Sequence, residues 1–290
     1  METIKQQLVQ IFHKNEDVLG AVILKNKEQF PFHVNEYEFF LLILTSNPLT
    51  NRSIRHVEIN GERVFIRVVH LDEILNSTVA FRYYNLMDWL ISGEIILDKS
   101  ELLVKLKNKI EAFPVEMRDY RKFLEYCGFL ETLYIAKRSL HEKNELDAYS
   151  QILLALHHWA RIVLIEEGLH PELTVWKQLR KVHPGVYKLY EELIASPETI
   201  TQMVELVMLA CEFSVTSKMK DCCKYLLDLL AEREEPWSIA EINNHPRIEM
   251  IIDDITLVIR KLVQGHHLKE VAVLSDEESD QVLELKYIVP

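Results

Sequence analysis

Asn35-Glu36-Tyr37-Glu38-Phe39-Phe40-Leu41-Leu42-Ile43-Leu44 is the stretch that decides the fold. An unbroken apolar run opened by two carboxylates reads as a buried strand with an acidic end. Alternate side chains of a strand share a face, so Glu36 and Glu38 point the same way, about 7 Å apart along the chain. Such a strand end can offer hard oxygen donors to a divalent cation, Mg2+ above all.

The surroundings of that strand have α/β texture over residues 1–115. Ile4, Leu8, Ile11 and Phe12 give an amphipathic helix. Leu19 to Leu24 reads as a strand. Val57 to Ile59 and Val64 to Val69 flank Asn60-Gly61, a pair suited to the positive φ angles of a type I′ hairpin turn. Helical pieces are expected around Asp72–Asn76 and Phe81–Ile91, then a short apolar run Ile95–Leu97. Ser100 is the expected N-cap of a helix over Glu101–Phe113, and Pro114 ends the unit.

Residues 116–235 read as almost entirely helical. Apolar residues at three- and four-residue spacing run through 117–141, 146–166, 172–181, 186–195, 198–213 and 216–232, as in an antiparallel bundle. Residues 236–290 change character. Ser238–Asn243 and Glu249–Val263 are two expected helices about the turn His245-Pro246. Leu268–Leu274 and Val282–Val289 alternate as two strands around the acidic loop Ser275–Asp280. Helix, turn, helix and ribbon describe a winged helix. The expected class is therefore α+β in three domains, 1–115, 116–235 and 236–290.

Composition narrows the function. Seven glycines in 290 residues argue against a loop-heavy scaffold. No run approaches the roughly 18 apolar residues of a membrane span, and the first residues lack the apolar core of a signal peptide. Cys127, Cys211, Cys222 and Cys223 show no framework spacing and read as reduced thiols of a cytoplasmic protein. The net charge of −12 disfavours nonspecific binding to nucleic acid or acidic membranes.

In element order, residues 1–115 resemble the DNA polymerase β-like nucleotidyltransferases: helix, strand, acid-x-acid strand, hairpin, then Trp89-Leu-Ile-Ser-Gly-Glu-Ile-Ile-Leu-Asp98 leading into a helix. The resemblance implies a two-metal site with Glu36 and Glu38 as catalytic, Mg2+-holding acids. It also implies a Gly-Ser phosphate turn after the first strand and a third acid on a neighbouring strand. Two cations about 3.5–4 Å apart would clamp the attacking and leaving oxygens. Here the match thins. The turn position holds either Gly20-Ala21 or Leu24-Lys25, neither a Gly-Ser. On the strand expected to supply the third acid, one face shows Arg63, Phe65, Arg67 and Val69 and the other Val64, Ile66 and Val68. Arg67 would oppose a metal and suit a phosphate oxygen.

Ala155-Leu156-His157-His158-Trp159-Ala160-Arg161 and His183-Pro184-Gly185-Val186-Tyr187-Lys188-Leu189 resemble the helical domain of kanamycin-type nucleotidyltransferases, which helps hold the acceptor. Arg161 there, and Arg180 on the basic face formed with Lys177 and Lys181, are further phosphate-binding candidates. His157 and His158 are adjacent and cannot both face one site on a helix. The whole chain resembles nucleotidyltransferase-like proteins of Gram-positive bacteria that end in a helix-turn-helix.

The expectation drawn is a nucleotidyltransferase-fold protein whose two-metal site is degraded. It would act by binding a nucleotide or a protein partner. An active enzyme moving NMP from an NTP to an acceptor is the alternative, and a transcription regulator the third class. Against the last, residues 198–290 hold nine Lys/Arg and eighteen Asp/Glu. The acids Glu249, Asp253 and Asp254 fall on the expected recognition helix, and phosphate binding needs cations there.

Overall fold

The computed structural model describes residues 2–25, 37–47, 54–71, 89–172, 174–195, 198–249, 251–252, 254–274 and 282–290. Glu36, most of the helical pieces expected between 72 and 91, Asp253 and the acidic loop 275–280 lie outside these. The chain forms two compact units, Met1–Pro114 and Val115–Pro290. It combines a mixed sheet with many helices, an α+β fold.

In the first unit the described residues contain a five-stranded sheet of order β3-β4-β2-β1-β5. Its strands are β1 (Val18–Lys25), β2 (Phe39–Thr45), β3 (Ile54–Ile59), β4 (Glu62–His70) and β5 (Glu94–Asp98). β2 and β4 are parallel, and the other pairs are antiparallel. The decisive apolar run is β2, buried at every position in the middle of the sheet. A strand covered on both faces needs no polar alternation. Asn60 and Gly61 turn the β3–β4 hairpin at φ 54° and 81°, the positive values expected of them.

Strand alternation sorts the sheet into two faces. Ala21, Ile23, Phe39, Leu41, Ile43, Val64, Ile66 and Val68 share one core with Leu8 and Phe12 of helix α1 (Glu2–His13). Lys5 of α1 reaches Glu94 of β5 at 2.7 Å and ties helix to sheet. The other face carries Gly20, Val22, Phe40, Leu42, Phe65 and Arg67. Helix α2 (Leu102–Ala112) meets this face at Gly20, where a Cβ would stand 2.4 Å from Leu103 Cδ1. Gly20 is thus a close-packing glycine inside β1, and the end of that strand is Leu24-Lys25.

The cap of α2 is Asp98, not Ser100. Its two carboxylate oxygens accept the N–H groups of Leu102 and Val104 at 2.9 and 3.0 Å. Glu101, at φ 54°, turns the chain so that an acid three residues back reaches the first turn.

The second unit is built on two long helices, α3 (Val115–His141) and α4 (Glu145–Glu166), packed along their length. Around them lie α5 (Val175–Val182), α6 (Pro184–Ala195), α7 (Ile200–Cys222) and α8 (Lys224–Leu230). The break expected near residues 214–215 is absent. With no Gly or Pro there, α7 continues to Cys222 and the chain turns at Cys223. Thr199 starts α7 with a capping box to Gln202. All four cysteines are buried.

The core of this unit continues past residue 235. Trp237, Ile242, Ile248, Ile255, Val258, Ile259, Leu262 and Leu268 belong to the same buried cluster as Phe123 and Leu164. The last elements are β6 (Trp237–Ser238), α9 (Ile239–Asn243), α10 (Thr256–Gln264), β7 (Lys269–Leu274) and β8 (Leu283–Ile288), with sheet order β6-β8-β7. The second expected helix is therefore shorter than 249–263. Turns occupy residues 246–249, Asn243 Oδ1 accepts the Ile255 N–H at 3.0 Å, and Asp254 Oδ1 accepts that of Thr256 at 2.8 Å.

Candidate functional site

At the sheet end where β1 finishes and β2 begins, Lys25 pairs with Phe39, and β4 runs alongside with Val64 opposite Phe39. Glu38 precedes β2 and is exposed. Its N–H donates to Arg63 O at 3.0 Å, and its Oε2 accepts the Arg63 N–H at 2.7 Å. The carboxylate thus extends the β2–β4 ladder by a side-chain hydrogen bond. Across the ladder Arg63 stands opposite Glu58 of β3.

Arg67 shares the face of Phe65 but lies four residues along β4 from Arg63, about 13 Å at strand rise. It faces Leu42 on β2 and Ile54 on β3. Between Arg67 and the strand end sits an aromatic cluster. Phe65 meets Tyr37, Phe40, His56 and Trp89 with ring centroids 5.2–5.9 Å apart. Tyr37 also packs on His56 at 5.0 Å. Among the described residues no three His, Cys, Asp or Glu side chains gather as a metal would require. The described donors at this end, the exposed carboxylates of Glu38 and Glu58 on either side of Arg63, with Glu38 already accepting the Arg63 N–H, do not fit a Mg2+ clamp.

The second unit holds a charged cluster inside the α3–α4 packing. Glu125, with its side chain 5% exposed, accepts from His158 Nδ1 at 2.7 Å and from Arg161 Nη1 at 3.4 Å. Burial pushes the Glu125 pKa up. The His158 hydrogen bond and the charges of Arg161, His158 and Arg121 outweigh it and hold the carboxyl below the ordinary range. Arg121, itself buried, reaches His170 Nδ1 at 3.3 Å just beyond α4. Arg118, Arg121 and Glu125 are spaced i, i+3, i+7 along α3, and His158 and Arg161 i, i+3 along α4, so each set lies on one helix face.

Of the residues expected from sequence, Arg161 belongs to this cluster. The two histidines separate as adjacent helical residues must. His158 meets Glu125, whereas His157 packs on Trp176 at 5.7 Å. Burial and the neighbouring Arg161 charge push the His157 pKa down to about 4. Arg180 is exposed and lies over the Tyr187 ring at 5.5 Å. No described contact brings it to Arg161. Glu125 and His170 were missed. The signal available was a charged i, i+3, i+7 row between the apolar positions of α3.

Comparison with known proteins agrees with both units. Residues 1–118 match the Nucleotidyltransferase-like family model. Residues 119–218 match the YgxA-like substrate binding domain model. The chain is 29% identical over 265 residues to the protein YgxA of Bacillus subtilis (strain 168), covering 91% of this chain and 90% of the relative. The crystal structure of a nucleotidyltransferase-like protein from Exiguobacterium sibiricum 255-15 superposes with a TM-score of 0.89 at 25% identity, covering 100% of this chain and 99% of that one. The fold is nucleotidyltransferase-like. No helix among the described residues is long and apolar enough to cross a membrane.

Proposed function

We propose that this chain is a nucleotidyltransferase-fold protein that binds a nucleotide or a protein partner in a regulatory role, with two-metal transfer lost. The observation that carries the reading is the hydrogen bond from the Arg63 N–H to the Glu38 carboxylate, on a strand whose site face offers Arg63, Phe65 and Arg67 in place of a third acid. In-line transfer needs two cations held on carboxylate oxygens. Guanidinium groups repel cations and suit phosphate oxygens. The remaining role of this end is therefore binding, and Mg2+ would arrive, if at all, with a nucleotide. Four reduced thiols fit a cytoplasmic setting.

Labelled-NTP incorporation with Mg2+ or Mn2+ across candidate acceptors, proteins included, tests this. The expected result is no transfer above background. Robust transfer abolished by Glu36→Ala would replace the reading with that of an active enzyme.

The order α8, β6, α9, α10, β7, β8 favours a second element of the reading, a C-terminal winged helix. We assign it to protein interaction or internal packing. Its helix α10 carries Arg260 and Lys261 with no acid, the acids Glu249 and Asp254 preceding it. Lys261 lines a cleft with Lys137, Glu212 and Leu257 of the same unit. That leaves Arg260 as the exposed cation of the helix, too little to neutralise a run of phosphates.

A further inference from the structure

We infer that Glu125, His158 and Arg161 form a receptor for a phosphoryl-type oxyanion on the helical unit, gated by the protonation of His158. The inference names a ligand class for the binding role proposed above, but it does not depend on whether residues 1–114 transfer nucleotides.

Three observations place the imidazole with precision. Glu125 holds Nδ1 at 2.7 Å from a buried position. A carboxylate at one ring nitrogen fixes both tautomer and orientation and leaves the other nitrogen for function. Gly128, one turn along α3, makes room for the ring: a Cβ there would stand 2.6 Å from His158 Cε1 and 2.8 Å from Nε2. Glycine inside a helix is less stable than alanine, so this position trades helix stability for the ring's seat. Finally, the His158 and Arg161 side chains are 25% and 21% exposed, whereas Glu125 beneath them is 5% exposed. The cluster therefore opens to solvent on its cationic side.

The groups around His158 are Glu125 and Arg121 from α3, and Arg161 and His157 from α4, with His170 behind Arg121. Between α4 and α7, the Thr201 hydroxyl donates to Glu145 and Lys218 pairs with Glu166, both at the ends of α4. With His158 protonated, Nδ1–H donates to Glu125 and Nε2–H becomes a second donor beside the Arg161 guanidinium. An oxyanion with several acceptor oxygens matches that pair. With His158 neutral, Nε2 presents a lone pair and rejects the anion.

The test is a calorimetric titration of the full chain with inorganic phosphate, repeated with sulfate, whose charge is constant between pH 6 and pH 8. The expected result is binding of both anions at pH 6 and weaker binding of sulfate at pH 8, as the imidazole loses its proton. His158→Gln should abolish the pH dependence, and Arg161→Lys should weaken binding at both pH values. Gly128→Ala should leave the fold intact by circular dichroism yet lose sulfate binding, because the ring is displaced from Glu125. Absence of sulfate binding at pH 6, or binding unchanged in His158→Gln and Gly128→Ala, overturns the inference. The NTP incorporation assay has a separate readout, so either result can fail alone.

Discussion

Glu125 shows how one residue sets the character of the helical unit. It is a buried carboxylate made tenable by His158 and Arg161. Breaking a buried pair leaves uncompensated charge, at a cost on the order of 3–5 kcal/mol. Glu125→Leu is expected to lower stability by that amount in urea unfolding. The pH dependence has a definite sign. The folded-state pKa of Glu125 is lowered, so its contribution is complete above the ordinary carboxylate range and is lost as pH falls through the depressed value. His157, pushed down to about 4, acts at milder pH. It stays neutral in the fold while the unfolded chain takes up a proton, so stability falls from about pH 6.5 toward 4. His157→Phe should flatten that part of the pH profile. Tyr126 gives a change in the opposite direction. Among the described residues its hydroxyl, buried beside Cys127, Cys222 and Cys223, has no hydrogen-bond partner. Tyr126→Phe is expected to raise stability by up to about 1 kcal/mol, because an unmet hydroxyl is removed from the core.

At the scale of elements, helix ends decide more than helix interiors. α2 depends on Asp98, whose oxygens serve two N–H groups of its first turn. Asp98→Ala should destabilise the first unit by about 1–2 kcal/mol and speed amide exchange at residues 102–105, as seen by NMR. Element identity was largely legible beforehand. The buried run of β2, the Asn60-Gly61 turn and the paired long helices follow from apolar period and turn chemistry. Helix boundaries were less so. Ile248, Ile251, Ile252 and Ile255 keep a helical spacing through a segment of turns, because apolar spacing reports which side is buried, not which backbone bonds form. Ser100 looked like a cap, but a left-handed Glu101 handed that role to Asp98.

At the scale of the molecule, the candidate site was legible only in part. The acidic strand end was visible because its residues are neighbours in sequence. The Glu125–His158 pair spans 33 positions, and only the docking of α3 on α4 brings it together. The negative charge of the chain leads to a solution prediction. Fluorescence anisotropy with duplex DNA at ~50 mM salt, where phosphate contacts are strongest, should show no submicromolar binding. Tight binding that weakens steeply with salt would instead promote the C-terminal elements to a DNA-reading role.

The burial of Cys127, Cys211, Cys222 and Cys223 leaves a practical opening. Burial pushes all four thiols upward, Cys211 and Cys222 to about 12, so at neutral pH almost none of the reactive thiolate is present. The native chain is thus a chemically silent background for maleimide dyes. One cysteine introduced at Ser100 and another at Ser150, both exposed, would be the pair that labels in the native fold. Energy transfer between the two dyes would then act as a ruler between the units, following their separation in solution as nucleotides or oxyanions are added.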